Sequence, residues 1–343
     1  MSRSNLDHPF AAPPDAGHVM VVAPGIRWIR MPLPFALDHI NLWALDDGEE
    51  GLTLVDSGLG NDETKALWEI LLAGPLAGRR PSRLIATHFH PDHMGLSGWL
   101  CQRLGVELTA SLREWLFGRM LWLEDSEEFT ANQVGYYRRL GFDAEQLEGV
   151  RSRGNTYRSR IDVIPVRMVG IRHGDTLDIG GLQWRMIEGG GHSPEHACLY
   201  CAESGILISG DQVLPRISPI VGVWPQQPDA EPLSLFLDAL TRLRDLPADT
   251  LVLPSHGLPF RGLHPRIDEL LAHHAERLER TLSACVEPAT PLQVLRVLFT
   301  RVLDAHQLGF ATGETLAHLH HLMKKGAVIR DLGSDGVWRY RRS

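Results

Sequence analysis

The amino-acid sequence predicts an α+β fold in which two β-sheets pack together with helices outside them, followed by a smaller C-terminal domain. Two patterns support this prediction. Short apolar runs alternate with helical segments between residues 18 and 104, and the pattern becomes helical beyond about residue 265. Alternating strands and helices favour layered sheets, because each element must bury its apolar face against another element.

The first part of the chain contains strand-like runs separated by Gly, Pro and Asp: His18 to Ala23, Ile26 to Met31, Ile40 to Ala44 and Leu52 to Val55. A helix is predicted from about Asp62 to Ala73, where apolar residues recur at the helical period. The strand Leu84 to Thr87 and a helix from Gly95 to Leu104 follow. Residues 1–18 contain Pro13 and Pro14 and lack a continuous apolar core, so we expect a flexible or loosely packed lead-in.

Four metal-ligand side chains are concentrated between Thr87 and Gly95: His88, His90, Asp92 and His93. Where a strand enters a loop, alternate side chains lie on one face, so His88 and His90 can point the same way. Pro91 then turns the chain, and Asp92 and His93 can address a second position. Imidazoles with a carboxylate suit zinc, iron, nickel or cobalt, whereas calcium and magnesium favour oxygen ligands. The segment therefore predicts a transition-metal site.

Three later segments place His192, Asp211 and His256 next to Gly or Pro. Each follows a short apolar run: Trp184 to Ile187, Ile206 to Ile208, and Leu251 to Leu253. We therefore expect further ligands at the ends of successive buried strands.

These residues resemble the signature of the metallo-β-lactamase superfamily, T-H-x-H-x-D-H followed by a distant His, an Asp and a last His. The resemblance extends over about residues 20–265 and implies the αββα sandwich fold with two divalent metal ions, Zn²⁺ first and Fe or Mn as alternatives. By this resemblance His88, His90 and His192 hold one metal. Asp92, His93 and His256 hold the other, and Asp211 bridges them.

Two further residues have candidate supporting roles. The segment Val55-Asp56-Ser57-Gly58 resembles the V-D-x-G strand end of the family, which implies that Asp56 orients a metal-bound imidazole through its other nitrogen. The alternative is an Asx turn. His196 closely follows His192 and is a candidate to support the metal site, with a packed strand residue as the alternative.

Residues 111–160 interrupt the alternation with two or three helical segments rich in large side chains. Insertions in loops often carry substrate recognition, so we expect a helical cap over the metals with an apolar wall. The candidate pocket residues in this insertion and after Asp211 are Trp115, Trp122, Tyr136, Arg216 and Trp224. The alternatives are that the aromatic residues pack the insertion onto the sandwich or form an oligomer contact, and that Arg216 is an ordinary surface residue.

Residues 266–343 are predicted to form a winged-helix-like domain after the catalytic domain at 19–265. The predicted helices are Ile267 to Leu282, Pro291 to His306 and Thr312 to Lys325, and a hairpin turns at Ser334-Asp335-Gly336. This tail resembles the C-terminal domain of a lactamase-like branch that includes a mitochondrial endoribonuclease. Its basic residues fit either a nucleic acid or a solvated hairpin: Lys324, Lys325, Arg330, Arg339, Arg341 and Arg342.

The composition limits the possible partners. The formal net charge is −8, which argues against a protein that mainly coats nucleic acid. We find no apolar stretch of about 18 residues that would suit a membrane span, and no membrane partner is expected. The 4 cysteines are scattered, which favours a reducing compartment and a cytoplasmic location. The C-x-x-C pair Cys198 and Cys201 lies in an apolar run and is interpreted as buried thiols.

The sequence thus predicts a hydrolase in which a metal-bridging hydroxide attacks an ester-type bond, with Asp92 and Asp211 as candidate catalytic carboxylates. The expected substrate is a small acyl compound, a thioester first and a lactone or ester next, as in the glyoxalase II-like thioesterases of the family. The main alternative is a metal-dependent endoribonuclease, although nucleic acid is not the favoured partner. A di-iron redox enzyme is less favoured. A homodimer is expected only by analogy.

Overall fold

Two β-sheets pack face to face, with helices on their outer faces. The computed structural model describes residues 6–49 and 51–343. The strands are β1 (Met20–Ala23), β2 (Ile26–Pro32), β3 (His39–Asp46), β4 (Gly51–Val55), β5 (Arg80–Ile85), β6 (Leu108–Ser111), β7 (Met168–Ile171), β8 (Thr176–Ile179), β9 (Leu182–Glu188), β10 (Ala197–Cys201), β11 (Ile206–Gly210), β12 (Leu251–Pro254), β13 (Val328–Leu332) and β14 (Trp338–Arg342). The helices are α1 (Asp62–Ala73), α2 (Pro91–Met94), α3 (Ser97–Leu104), α4 (Leu112–Leu123), α5 (Glu127–Arg139), α6 (Ala144–Arg153), α7 (Pro232–Arg244), α8 (Leu263–Ala284), α9 (Pro291–Leu298) and α10 (Ala305–Lys324).

The first sheet has the order β1-β2-β3-β4-β5-β6-β7, and the second has the order β12-β11-β10-β9-β8. Strands β1 to β4 are antiparallel and β4 to β7 are parallel, while β11 and β12 form the parallel pair of the second sheet. Buried side chains from both sheets, including Trp28, Trp43 and Trp184, fill the space between them. The αββα prediction is confirmed.

Helix α1 has the predicted bounds, and local chemistry explains both ends. The Asn61 side chain accepts a hydrogen bond from the backbone N–H of Thr64, which satisfies one of the free donors at the start of the helix. Trp68 and Leu71 are buried on its inner face. Gly74 ends the helix and donates its N–H to the carbonyl of Ile70.

The first described residues of the chain contact the sandwich, which corrects the prediction of a flexible or loosely packed lead-in. Asp7 and Arg261 exchange backbone hydrogen bonds, and Phe10 packs edge-on against Trp28 with ring centroids 6.4 Å apart. The short strand bridge satisfies backbone polar groups that would otherwise need water. Residues 1–5 of the predicted lead-in lie outside the described residues.

In the C-terminal part of the chain, three helices precede the hairpin of β13 and β14, as the sequence predicts. The predicted helix from Pro291 to His306 is too long, since α9 ends at Leu298 and Phe299 adopts an extended backbone. The Cζ atom of the Arg277 guanidinium instead lies 4.3 Å from the centroid of the Phe299 ring. Helix α10 also begins earlier than predicted, because the Asp304 side chain accepts the N–H of Gln307.

The four cysteines are buried free thiols, as predicted for Cys198 and Cys201. Among the described residues, no helix combines the length and apolar character needed to cross a bilayer.

A pair of buried histidines joins α8 to α10. The Nδ1–H of His274 donates to Nε2 of His318 over 3.2 Å, and Nδ1–H of His318 donates to the carbonyl of Glu314 over 2.7 Å. The pKa of His274 is lowered to about 2 and that of His318 to about 3, and burial is the largest cause of both shifts. Both imidazoles are therefore neutral in the folded protein at ordinary pH.

Replacement of His318 by Gln is expected to weaken the pH dependence of stability. Between about pH 3 and pH 6.5, this histidine binds a proton in the unfolded chain but not in the folded protein. The free energy of unfolding therefore falls as the pH falls through this range. Without His318, the slope of the unfolding free energy should decrease by up to about 1.4 kcal/mol per pH unit. Urea unfolding between pH 4 and 7 measures the slope for both proteins, and equal slopes would contradict the assignment.

Candidate metal centre

The candidate ligands gather where strand ends of the two sheets meet. The first sheet supplies Asp56 directly after β4 and the loop with His88, His90, Asp92 and His93 after β5. The second sheet supplies ligands after three strands: His192 after β9, Asp211 after β11 and His256 after β12. The candidate ligands of the second sheet thus come after the ends of successive strands, as the sequence predicts.

One group consists of His88, His90, His192 and Asp211, with donor atoms within 4.8 Å of one another. The Nε2 atom of His88 lies 2.9 Å from Nδ1 of His90 and 3.3 Å from Nε2 of His192. Asp211 Oδ2 lies 3.4 Å from Nε2 of His192. Three imidazoles and one carboxylate therefore face a common point.

The second group consists of Asp92, His93 and His256. Asp92 Oδ2 lies 3.5 Å from Nε2 of His93 and 3.4 Å from Nε2 of His256. Asp211 Oδ1 approaches the same two nitrogens, at 3.5 Å and 3.3 Å. The carboxylate of Asp211 thus presents one oxygen to each group, which is the arrangement a bridging ligand requires.

The donor atoms fit bound cations. Nε2 of His93 and Oδ1 of Asp211 are buried, and among the described residues neither atom has a hydrogen-bond partner. Such atoms cost free energy unless a partner satisfies them. Although burial acts to lower the pKa of His93, the neighbouring carboxylates of Asp92, Asp56 and Asp211 raise it to about 10. The site therefore attracts positive charge, and its nitrogen and oxygen donors suit zinc or a similar ion.

Hydrogen bonds at the opposite ring nitrogens orient three of the imidazoles. Nδ1 of His93 lies 2.8 Å from the carboxylate of Asp56. Nδ1 of His192 lies 2.7 Å from the carbonyl of Ile220, and Nδ1 of His256 lies 2.7 Å from the carbonyl of His39. Because these acceptors require N–H donors at Nδ1, Nε2 is the nitrogen of each ring that faces the centre and would bind a metal ion.

Asp56 is held in an unusual backbone conformation. Its φ is 64°, in the left-handed region that L-residues rarely adopt, and its carboxylate accepts the backbone N–H of Thr87 at 2.7 Å as well as the Thr87 hydroxyl. One carboxylate therefore ties the start of the metal loop to the ring of His93. This contact is the one that the sequence resemblance implied for Asp56.

His196 supports the backbone of Asp211. Its Nε2 accepts the N–H of Asp211 over 3.1 Å, and its ring stacks on that of His88 with centroids 4.7 Å apart. Burial lowers the pKa of His196 to about 3, so the ring is neutral and can accept this bond. A Cβ at Gly210 would lie 2.4 Å from the ring, so the close contact requires glycine there.

Glu114, which sequence reasoning did not identify, connects both metal-binding loops from helix α4. Its buried carboxylate accepts the N–H of Phe89 at 3.0 Å, the hydroxyl of Ser193 at 2.7 Å and the N–H of Glu195 at 2.6 Å. Burial raises the pKa of Glu114 to about 7. Gly118 allows the close packing, since a Cβ there would lie 3.2 Å from Phe89. A lone Glu among aromatic residues carries no sequence signal for this contact.

A cavity of about 110 Å³ lies beside His192. Its walls are largely apolar, and their apolar side chains are Phe89, Phe117, Pro194, Trp224, Ala230, Pro232 and Leu235. Ser193, Gln227 and Glu231 contribute polar atoms. The cavity touches the first group of candidate ligands, so a substrate bound there would reach the metal centre.

Of the predicted pocket residues, Trp224 lines this cavity and the others lie elsewhere. Trp115 and Trp122 pack against the first sheet's outer core, and the Trp115 indole donates to the carbonyl of Pro165. Tyr136 is buried and donates to the carbonyl of Val223. Arg216 is exposed. Trp115 and Trp122 therefore pack the insertion onto the sandwich, which is the alternative that the sequence left open for its aromatic residues.

Comparison with known families agrees with this geometry. The family model of the metallo-beta-lactamase superfamily matches residues 37–256, and that of the metallo-beta-lactamase-like C-terminal domain matches residues 278–343. The chain belongs to the metallo-beta-lactamase superfamily, and it is a metallo-hydrolase.

Individual proteins are similar over different lengths. A crystal structure of a beta-lactamase domain protein from Burkholderia ambifaria is 43% identical, covers 98% of both chains and superposes with a TM-score of 0.92. The probable metallo-hydrolase YqjP of Bacillus subtilis (strain 168) is 27% identical over 88% of this chain and 92% of its own length. The acyl-coenzyme A thioesterase MBLAC2 of Homo sapiens is 29% identical over 55% of this chain and 63% of its own length.

Replacement of Glu114 by Gln is expected to loosen both metal-binding loops. The amide would place an N–H₂ group where the carboxylate accepts a hydrogen bond, so at least one buried N–H or O–H loses its partner, at about 1–3 kcal/mol. Zinc affinity should fall by about 10- to 100-fold, as expected when a group that supports ligands is lost. Chelator competition and thermal unfolding measure both effects. Glu107→Gln, on an exposed residue of the same type, is the control, and wild-type zinc affinity in the Glu114 variant would contradict the role.

Proposed function

We propose that this metallo-hydrolase is a dinuclear enzyme that cleaves ester-type bonds in small acyl compounds, with acyl thioesters first and lactones or esters next. The observation that carries the proposal is the apolar cavity that opens beside His192. An apolar cavity next to a metal centre suits the acyl part of a substrate, with the scissile carbonyl at the metals.

Under this proposal the metals are held by the two groups of residues described above. His88, His90 and His192 would hold one ion and Asp92, His93 and His256 the other, and Asp211 presents one carboxylate oxygen to each group. When bound, divalent metal ions supply activation of water and polarisation of the carbonyl group under attack.

The chain itself contributes two carboxylates that differ in charge environment and in exposure. Asp211 is held as a carboxylate, because His256 and His93 lower its pKa well below the usual value although burial acts in the opposite direction. The Asp92 side chain keeps 19% of its surface exposed, compared with 10% for Asp211. Asp92 is therefore the carboxylate of the pair that is more accessible to water.

The choice of a thioester is supported by a relative and by the lining of the cavity. MBLAC2 is named an acyl-coenzyme A thioesterase. Phe89 and Phe117 meet edge to face with centroids 4.9 Å apart and form an apolar wall next to the ligand loop.

Four buried thiols suit a reducing compartment, so the proposed setting is the cytoplasm.

Phosphodiester cleavage of RNA is less well supported, because acidic residues neutralise much of the basic tail. Lys324 pairs with Glu231, Arg330 with Asp229, Arg339 with Asp335 and Arg341 with Asp331. Phosphate binding depends on cations that are free to replace counterions. The contacts therefore favour a solvated hairpin over an RNA-binding surface.

A turnover panel tests the proposal. Zinc-loaded protein is assayed on acyl thioesters, lactones and single-stranded RNA beside His88→Ala and the exposed control His18→Ala. We expect metal-dependent acyl hydrolysis, reduced by more than about 100-fold in His88→Ala because a metal ligand is lost, and unchanged in His18→Ala. Cleavage of RNA alone, or full turnover by metal-depleted His88→Ala, would overturn the proposal.

Metal content tests the dinuclear part separately. We expect about two zinc ions per chain from the two ligand groups, and His256→Ala should retain only the ion held by the three-histidine group. Because bound metal stabilises the folded state by mass action, chelation should also lower the unfolding temperature. Mass spectrometry under native conditions counts the ions. One ion in both proteins would contradict a dinuclear site.

A further inference from the structure

We propose that the C-terminal domain forms part of the acyl-binding pocket, because helix α10 holds Trp224 against the cavity and Trp224 limits the length of the acyl chain. This inference rests on the proposed acyl hydrolase function. It assigns to residues of the C-terminal helix a role in substrate selection.

The wall segment, residues 222–224, follows the loop of Asp211 and faces the cavity through Gly222 and Trp224. The indole of Trp224 folds back over Gly222, where an added Cβ would lie 2.8 Å from the ring. The position of this indole therefore depends on glycine at 222 and on whatever packs behind it.

Helix α10 packs behind the wall segment. The N–H of Val223 donates to the carbonyl of Gly313 over 3.0 Å. The Phe310 ring meets the Trp224 ring edge to face, with centroids 5.9 Å apart and an interplanar angle of 84°. A Cβ at Gly313 would lie 3.1 Å from the Val223 carbonyl oxygen, so the helix backbone is in close contact with the segment.

Helix α5 of the insertion holds the same segment from another side. The Tyr136 hydroxyl donates to the carbonyl of Val223 over 2.7 Å, and the Asn132 amide donates to the carbonyl of Pro225 over 3.1 Å. Both backbone polar groups of Val223 are therefore satisfied, one by each domain. The segment is fixed between two helices that do not themselves carry metal ligands.

The polar edge of the cavity is also tied to α10. The half-buried carboxylate of Glu231 accepts the N–H of Ser234, lies 3.0 Å from Nδ1 of His321 and pairs with Lys324 at 3.3 Å. Its charge is thus compensated within the protein. The cavity does not need a cationic occupant, and its remaining surface suits a hydrocarbon chain.

The occupant that fits is the acyl chain of the substrate. The aromatic wall of Phe89 and Phe117 lies next to the ligand loop, and Trp224 lines the same cavity of about 110 Å³. A chain that enters from the metal centre gains free energy with each buried methylene until the space ends. Loss of the indole should lengthen that space.

The experiment compares acyl thioesters of 2 to 16 carbons on Trp224→Ala, Phe310→Ala and wild type. We expect the chain length with the highest kcat/KM to increase in Trp224→Ala, with at least about a tenfold gain on the longest productive chains relative to short ones. Phe310→Ala should shift the profile in the same direction by less, although its side chain does not line the described cavity. Phe299→Ala is the matched control, because this C-terminal phenylalanine packs on Arg277 and does not line the cavity.

Calorimetric binding of butanoate, octanoate and dodecanoate to the same zinc-loaded proteins gives a readout independent of turnover. If wild type cleaves no acyl substrate, the proposed function fails, while a shift of carboxylate affinity toward longer chains in Trp224→Ala still supports the wall. Unchanged chain-length profiles in folded, metal-loaded Trp224→Ala would overturn the inference. If Phe310→Ala matches Phe299→Ala in both readouts, the assigned role of α10 is wrong.

Discussion

The structure depends on one electrostatic constraint, which is the convergence of buried imidazoles and carboxylates at a point that requires positive charge. Within the part of the chain that the structure describes, Nε2 of His93 and Oδ1 of Asp211 have no hydrogen-bond partner. Five candidate ligands, His88, His93, His192, His256 and Asp211, are buried by the surrounding fold. Bound cations would stabilise such a cluster, as do contacts that keep the loops from spreading apart.

The surrounding contacts hold the loops in place by tying separate chain segments together. Asp56 joins the end of β4 to the metal loop, and His196 accepts the backbone N–H of Asp211. Glu114 then connects the metal loop to the loop of His192 from helix α4. Because these contacts cross between both sheets and the insertion, the metal centre and the αββα packing stabilise each other.

The same principle extends to the substrate side. The insertion supplies Phe117 to the cavity and Tyr136 to the wall segment, and α10 supplies the contacts of Phe310 and Gly313. Neither added element carries a metal ligand. Together they define a cavity whose shape can differ between relatives while the metal centre stays the same, so the metal signature says little about substrate.

The sequence alone determined the sandwich fold, the strand-end positions of the candidate ligands and the role of Asp56, because a short motif and local strand patterns carry this information. The bounds of α1 were also local, set by Asn61 and Gly74. Only the tertiary structure decided that Glu114 links two loops, that Tyr136 supports the wall and that Trp115 packs against the core of the first sheet. These roles depend on contacts between residues far apart in sequence, such as Phe89 with Glu114 and Val223 with Gly313, and no local pattern specifies which face of an insertion helix meets which loop.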